Sequence, residues 1–124
     1  MHKCKATCGL LVFSIALPAE GAWAVDNFQR LNSPQIQAKF VGKEMTDEVH
    51  WADIYARDGT LTTYEMGKKR TGKWSVKNDQ LCHDRGTEFQ GCYQVWISGK
   101  KIELRREGSS LPLEGVLQPP ARRK

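Results

Sequence analysis

The chain has 124 residues, 40% of them hydrophobic and 27% charged, with a formal net charge of +5 and a mean hydropathy of −0.56. That length holds one domain, too short for an enzyme with a separate cofactor domain, and the composition excludes a membrane-spanning bundle, a collagen-like repeat and a wholly disordered chain.

Residues 1–24 carry the three parts of a secretory signal. Lys3 and Lys5 form a positive start, Gly9 to Leu17 an uncharged apolar run, and Ala22-Trp23-Ala24 the small residues that a signal peptidase reads. A membrane-spanning helix needs about 20 apolar residues, and this run has about half of that. A cleaved leader is therefore expected, leaving Val25 first, no transmembrane anchor, and a periplasmic or secreted protein.

Removing the leader takes Lys3, Lys5 and Glu20 from the 19 basic and 14 acidic groups, which leaves 17 and 13. Three of the remaining cations are Arg122, Arg123 and Lys124, so the body between 25 and 121 is nearly neutral. A nucleic-acid partner, which needs a basic face on the body, is not expected. Of four cysteines, Cys82 and Cys92 remain. Export favours a disulfide between them if a hairpin sets them opposite each other, worth about 2–3 kcal/mol.

Val25 to Leu31 is a lead-in with Phe28 and Leu31 as anchors. Ser33-Pro34 reads as the cap and first residue of a short helix carrying Ile36, Phe40 and Val41 inward and stopping at Gly42. Two helical turns do not stand alone in water, so this helix must dock on something. From Lys43 onward the chain reads as a series of hairpins. Strands are expected over 43–49, 50–57, 60–66, 71–77, 80–85, 91–97, 101–106 and 111–117. Asp58-Gly59 gives a type I′ turn signal, Gly67 to Arg70 a turn, Asn78-Asp79 another, 86–90 a longer loop, and Ser98 to Lys100 a turn. Pro119-Pro120 ends order, and residues 119–124 are expected as a disordered basic tail behind a single β-domain over 25–118. Seven or eight short antiparallel strands with short connections give an all-β, up-and-down meander. It is expected to curl into a lipocalin-like barrel or half-barrel, with the helix closing one end.

Several residue sets invite a functional reading. Trp51, Tyr55, Trp74 and Trp96 each sit in a strand, and in a closed barrel they would line a cavity able to stack on a ligand. Packing that fills the interior of a small barrel is the favoured use of the same residues. Cys82, His83, Asp84 and Cys92 suggest metal ligands, but Cys82 and His83 are adjacent in a strand and point to opposite faces. A disulfide is the expected use of the sulfurs, with no metal. Asp47, Glu48 and Asp53 lie close in sequence, and Glu48 and Asp53 would meet across a hairpin, although an exposed sheet face accounts for them. His50 and His83 fall in different hairpins, so no nucleophile constellation forms. No phosphate loop and no haem attachment motif occurs, so no cofactor is expected. Alternate turns share an end, which gathers Lys68, Lys69, Arg70, Arg85, Arg105 and Arg106 into a basic rim for an anionic ligand, a lipid head group or an acidic partner, although Glu88 and Glu107 dilute it and solvated turn charge is the favoured reading.

Gly72-Lys73-Trp74 matches the Gly-x-Trp letters of the calycins, the lipocalin class, although theirs lies on the first strand and this one mid-chain. Trp51 to Thr60, Gly72 to Val76, Leu81-Cys82 and Gly91-Cys92-Tyr93 resemble, as a set, a family of short exported bacterial proteins of unknown function. Those proteins have an Asp-Gly-Thr turn, a Gly-x-Trp strand and two spaced cysteines, and the likeness covers about residues 36–105. It implies an exported β-domain and brings no catalytic residue. The expectation is a small exported, non-catalytic module that binds a small apolar or anionic ligand. The alternative is a protein-binding or inhibitory module acting on a cell-envelope enzyme or wall component.

Overall fold

The computed structural model describes Gly9, residues 11–16 and residues 27–123. The expected leader falls largely outside the described residues, as do its cleavage site and the new terminus. Leu11, Val12, Phe13 and Ile15 of its apolar run are exposed. No helix among the described residues is long and apolar enough to cross a membrane.

The elements are β1 (Gln29–Arg30), α1 (Ser33–Phe40), β2 (Lys43–Thr46), β3 (Trp51–Tyr55), β4 (Thr60–Glu65), β5 (Lys68–Lys77), β6 (Gln80–Asp84), β7 (Gln90–Ser98), β8 (Lys101–Arg105) and β9 (Leu113–Gln118). The strands pair antiparallel in the order β1-β7-β6-β5-β4-β3-β2-β9-β8. A further pairing of β7 with β8 closes β2 to β9 into an eight-stranded barrel. The long-range step in the ring is β2 against β9, with Glu44 opposite Gln118, while the other pairings join consecutive strands. β7 is long and serves several partners. Leu81 to Asp84 pair with its first half, whereas Lys101 to Arg105 pair with Gln94 to Ser98. The space left beside the second half of β7 is taken by β1, with Gln29 opposite Ile97. That two-residue strand lies within the expected lead-in, whose anchor Leu31 is buried in the core.

The turns follow local chemistry. Asn78 (φ 51) and Asp79 (φ 58) both adopt positive φ, the type I′ requirement, and join β5 to β6. Between β3 and β4 the expected I′ turn at Asp58-Gly59 gives way to a wider one. Gly59 N–H donates to Ala56 C=O at 3.0 Å, and among Ala56 to Gly59 only Gly59 has positive φ. The reversal expected over Gly67 to Arg70 is tighter. Met66 and Gly67 alone make it, since Glu65 already faces Lys68, and Lys68 to Arg70 belong to β5.

One end of the barrel is sealed by α1. The cap sits one residue before the expected Ser33. The Asn32 side chain accepts from Gln35 N–H, and the Gln35 side chain accepts from Asn32 N–H, a reciprocal capping box. Ser33 N–H donates to Asp79 Oδ1 and Asp79 N–H to Ser33 Oγ, both at 2.8 Å, pinning the helix to the β5–β6 turn. Ile36 and Phe40 are fully buried, and Phe40 meets Tyr55 edge-to-face at 5.0 Å. Below lie Leu61, Trp74, Leu81, Val95, Ile102 and Leu104. Each such side chain removed from water contributes about 1.5–3 kcal/mol. On the outer wall Cys82 stands directly opposite Cys92, and the two form a disulfide at 2.01 Å.

Candidate functional site

Strand alternation decides which side chains enter the barrel. Trp51, Asp53 and Tyr55 share one face of β3, opposite Glu65, Thr63 and Leu61 of β4. On β5 the inward set runs Lys68, Arg70, Gly72, Trp74. On β6 it runs Leu81, His83 and, just past its end, Arg85. Near α1 this interior is apolar. Towards the open end, formed by the β2–β3, β4–β5, β6–β7 and β8–β9 connections, it becomes polar.

A connected cluster occupies the polar half. Arg85 is the hub. It crosses the glycine at position 72 to reach β4 and β3, donating from NH1 to Thr63 Oγ1 at 2.6 Å and from NH2 to Asp53 Oδ2 at 2.9 Å. Thr63 in turn donates to Asp53 Oδ1 at 2.6 Å. Both carboxylate oxygens are thus satisfied, as a buried charge requires. Arg85 NH2 also lies 3.5 Å from His83 Nδ1. A guanidinium only donates, so Nδ1 accepts, and Nε2–H donates to Tyr55 Oη at 2.9 Å. A Cβ at Gly72 would come 2.5 Å from the Asp84 carbonyl oxygen, so this position needs the bare backbone.

Burial tunes the cluster. It holds the Asp53 carboxyl above its usual range, with Arg85 and Thr63 offsetting only part of the effect. Burial and the Arg85 charge pull the His83 imidazole down to about 3. Burial, with the Asp53 charge, raises the Tyr55 hydroxyl far above its ordinary value. At neutral pH the cluster therefore holds neutral His83 and neutral Tyr55.

Among the described residues the four aromatics do not meet around one cavity, and packing describes the innermost two. Tyr55 is fully buried between Phe40 and Trp74, and Trp74 donates from Nε1 to Ala56 C=O at 2.8 Å. Both are packing. Trp51 is half-buried against the core. Trp96 lies outside: Val95 is buried in the core, so its neighbour faces the other way, where Arg105 stacks on it at 4.1 Å. The expected exposed sheet face at Asp53 is corrected too, since its partner is Arg85 rather than Glu48. Asp47 instead organises the β2–β3 loop, accepting from the N–H groups of Val49, His50 and Trp51 and from His50 Nδ1. Desolvation pushes its carboxyl up, but these donors together hold it far below the usual range.

The basic rim is assembled only in part. Lys68, Arg70 and Arg85 fall on the inward face at the open end. Arg106 lies over Phe89 at 5.0 Å and Tyr93 at 5.8 Å. Lys69 and Arg105 fall on the outer face by alternation. Carboxylates neutralise much of the set, with Arg70 on Glu88 at 2.6 Å, Arg85 on Asp53 and Arg105 on Glu103. In the basic tail, Arg123 pairs with Glu44 and stacks over Tyr64 at 4.5 Å.

Beside Arg85, a cleft of about 310 Å³ opens under the 85–89 loop. It is lined by Thr63, Arg70, Gly72, Arg85, Thr87 and Glu88, among others. A larger groove of about 570 Å³ on the outer wall passes the disulfide and mixes Lys73 and Lys77 with Asp58 and Asp84. Sequence reasoning does not single out Asp53, Thr63 and His83 together. The signal that points to them is a charged residue at a core-facing position between Trp51 and Tyr55. Compared with known proteins, the chain matches no family model, no curated protein and no solved structure.

Proposed function

We propose that this protein is an exported, non-catalytic binding barrel that receives a small anionic group in the cleft beneath the 85–89 loop. The observation that carries the reading is the position of Arg85. Its guanidinium is held by Thr63 and Asp53, yet its side chain keeps 22% of its exposure and lines the cleft. A cation fixed in advance costs little ordering when a ligand arrives. Arg70 lines the same cleft, and its partner Glu88 is a surface acid with 55% exposure. Such exposed pairs are worth roughly 0–1 kcal/mol, so an incoming anion can take Glu88's place. A binding role is also favoured over acid–base chemistry because His83 is buried and neutral. Export accords with the leader-like residues 1–24 and with the Cys82–Cys92 disulfide.

The test is an NMR titration of the folded chain with inorganic phosphate, sulfate and citrate, with maltose as neutral control. The amides of Gly72, Arg85, Gly86 and Thr87 should move with at least one anion and not with maltose. Arg70→Gln should weaken that anion several-fold while leaving the fold intact. Silent amides, or equal binding by the variant, would overturn the reading.

A second reading, a protein-binding or inhibitory module of the cell envelope, rests on three exposed apolar side chains. Val49, Met66 and Leu111 are 78%, 76% and 81% exposed, each on a connection at the open end. Replacing all three with Ser should abolish capture of an envelope partner if this rim is the contact.

A further inference from the structure

At the sealed end, three stretches distant in sequence meet around a second cleft of about 420 Å³. The last turn of α1 contributes Lys39, the start of β2 contributes Lys43, and the β7–β8 turn contributes Lys100. Ile97, Leu117 and Pro119 supply the apolar lining. Among the described residues no carboxylate lines this cleft, and none of the three lysines makes an ion pair. The contrast with the open end is chemical: there Arg70 and Arg85 each lie on an acid of the same chain. Three lysines bordering one concavity without a counter-charge in its lining make its potential positive, and an anion there lowers that cost. Lys39 also sits in the last turn of the helix, where backbone carbonyls favour a cation, so its charge is retained there. The apolar lining and the aliphatic lysine stems give the cleft a second affinity, for hydrocarbon.

From this juxtaposition we infer that the cleft binds a single-chain amphiphile: an anionic head, carboxylate or phosphate, held by Lys39, Lys43 and Lys100, and an alkyl chain laid against Ile97, Leu117 and Pro119. This site is separate from the open-end cleft and does not depend on it. The concave shape suits a monomeric amphiphile lifted out of a bilayer rather than a flat membrane surface. Its volume falls within the roughly 300–1,000 Å³ range of small-molecule sites.

The experiment is a calorimetric and NMR titration of the full chain with dodecanoate and with dodecyl phosphate, each below its micelle concentration. Acetate and decanol separate head from tail, and phosphatidylglycerol vesicles separate monomer from membrane. At least one of the two amphiphiles should bind one to one, moving the amides of Lys39, Lys43, Gly99, Lys100 and Leu117, and acetate and decanol should bind at least tenfold more weakly. Lys39→Gln with Lys100→Gln should weaken the amphiphile at least tenfold. Ala38→Glu, an exposed helix position beside the lysines, should do the same by supplying an internal counter-charge. Equal binding by acetate or decanol would overturn the inference. So would unchanged binding by both variants, or vesicle binding without monomer binding. Shifts confined to Gly72 and residues 85–87 would place the amphiphile at the open end and also overturn it.

Discussion

The two halves of the barrel interior solve the same burial problem with different chemistry. Near α1, Phe40, Leu61 and Leu81 exclude water by shape alone, and Tyr55 and Trp74 each add one hydrogen bond to their packing. Towards the open end Asp53, Thr63, His83 and Arg85 are enclosed by exchanging hydrogen bonds. The apolar half depends on volume, so neighbours relax partly around a loss. The polar half depends on complementarity, so removing one partner strands another. The difference teaches that polar residues inside this small barrel are not defects of the core. They form a set whose members stand or fall together, with one, Arg85, reaching solvent.

The largest effect tests that interdependence. Arg85→Met leaves the Asp53 carboxylate buried and unpaired and should cost about 3–5 kcal/mol in denaturant unfolding. Adding Asp53→Leu should recover much of the loss. In the apolar half Leu61→Ala should cost about 2–5 kcal/mol with no such rescue by a second substitution. If the double variant is no more stable than Arg85→Met, the cluster is not a coupled set.

The disulfide lies outside both halves and binds β6 to β7, the strands that carry His83 and Tyr93. Replacing Cys82 and Cys92 with Ser should lower stability by about 2–3 kcal/mol without changing the barrel's circular dichroism. An unchanged unfolding midpoint would show that the wall needs no covalent tie.

A pH series sharpens the comparison further, because only the polar half titrates. His83 is held at about 3 in the fold against about 6.5 unfolded, so its contribution is complete above pH 6.5 and is lost as pH falls towards 3. Asp53, raised in the fold, has the opposite sign: its contribution is present in acid and lost as pH rises through its folded value. Between pH 7 and pH 4.5 the His83 contribution should therefore fall by about 2.5 kcal/mol. His83→Gln should flatten that part of the profile, and an unaltered slope would place the acid sensitivity elsewhere.

The smallest effect contrasts inside with outside. Trp74→Ala should cost about 3–5 kcal/mol, as for any buried tryptophan. Trp96→Ala should cost no more than about 1 kcal/mol, since it loses chiefly a stacked arginine at the surface. Comparable losses would contradict the assignment of the two tryptophans to opposite faces.

Much of this architecture is legible residue by residue. The hairpin rhythm from Lys43 onward, the Asn78-Asp79 turn and the helix ending at Gly42 are local signals, and the structure keeps them. The pairing of Cys82 with Cys92 follows from hairpin register. The errors arise where one residue of shift decides a face. Trp96 reads as equivalent to Trp74 because both sit in strands, but its parity is set by Val95 entering the core. The rim charges are grouped correctly by end and wrongly by availability, because sequence distance hides Glu88 from Arg70 and Asp53 from Arg85.

The order of residues along the chain therefore determined the strands, their antiparallel succession, the helix and the disulfide, since each depends on neighbours within one hairpin. Barrel closure through β2 and β9, the Arg85 cluster over Gly72, and the lysine cleft at the sealed end were decided only by tertiary structure. Each joins segments dozens of residues apart, and no local preference encodes which charges will share a low-dielectric interior and which will be left facing water.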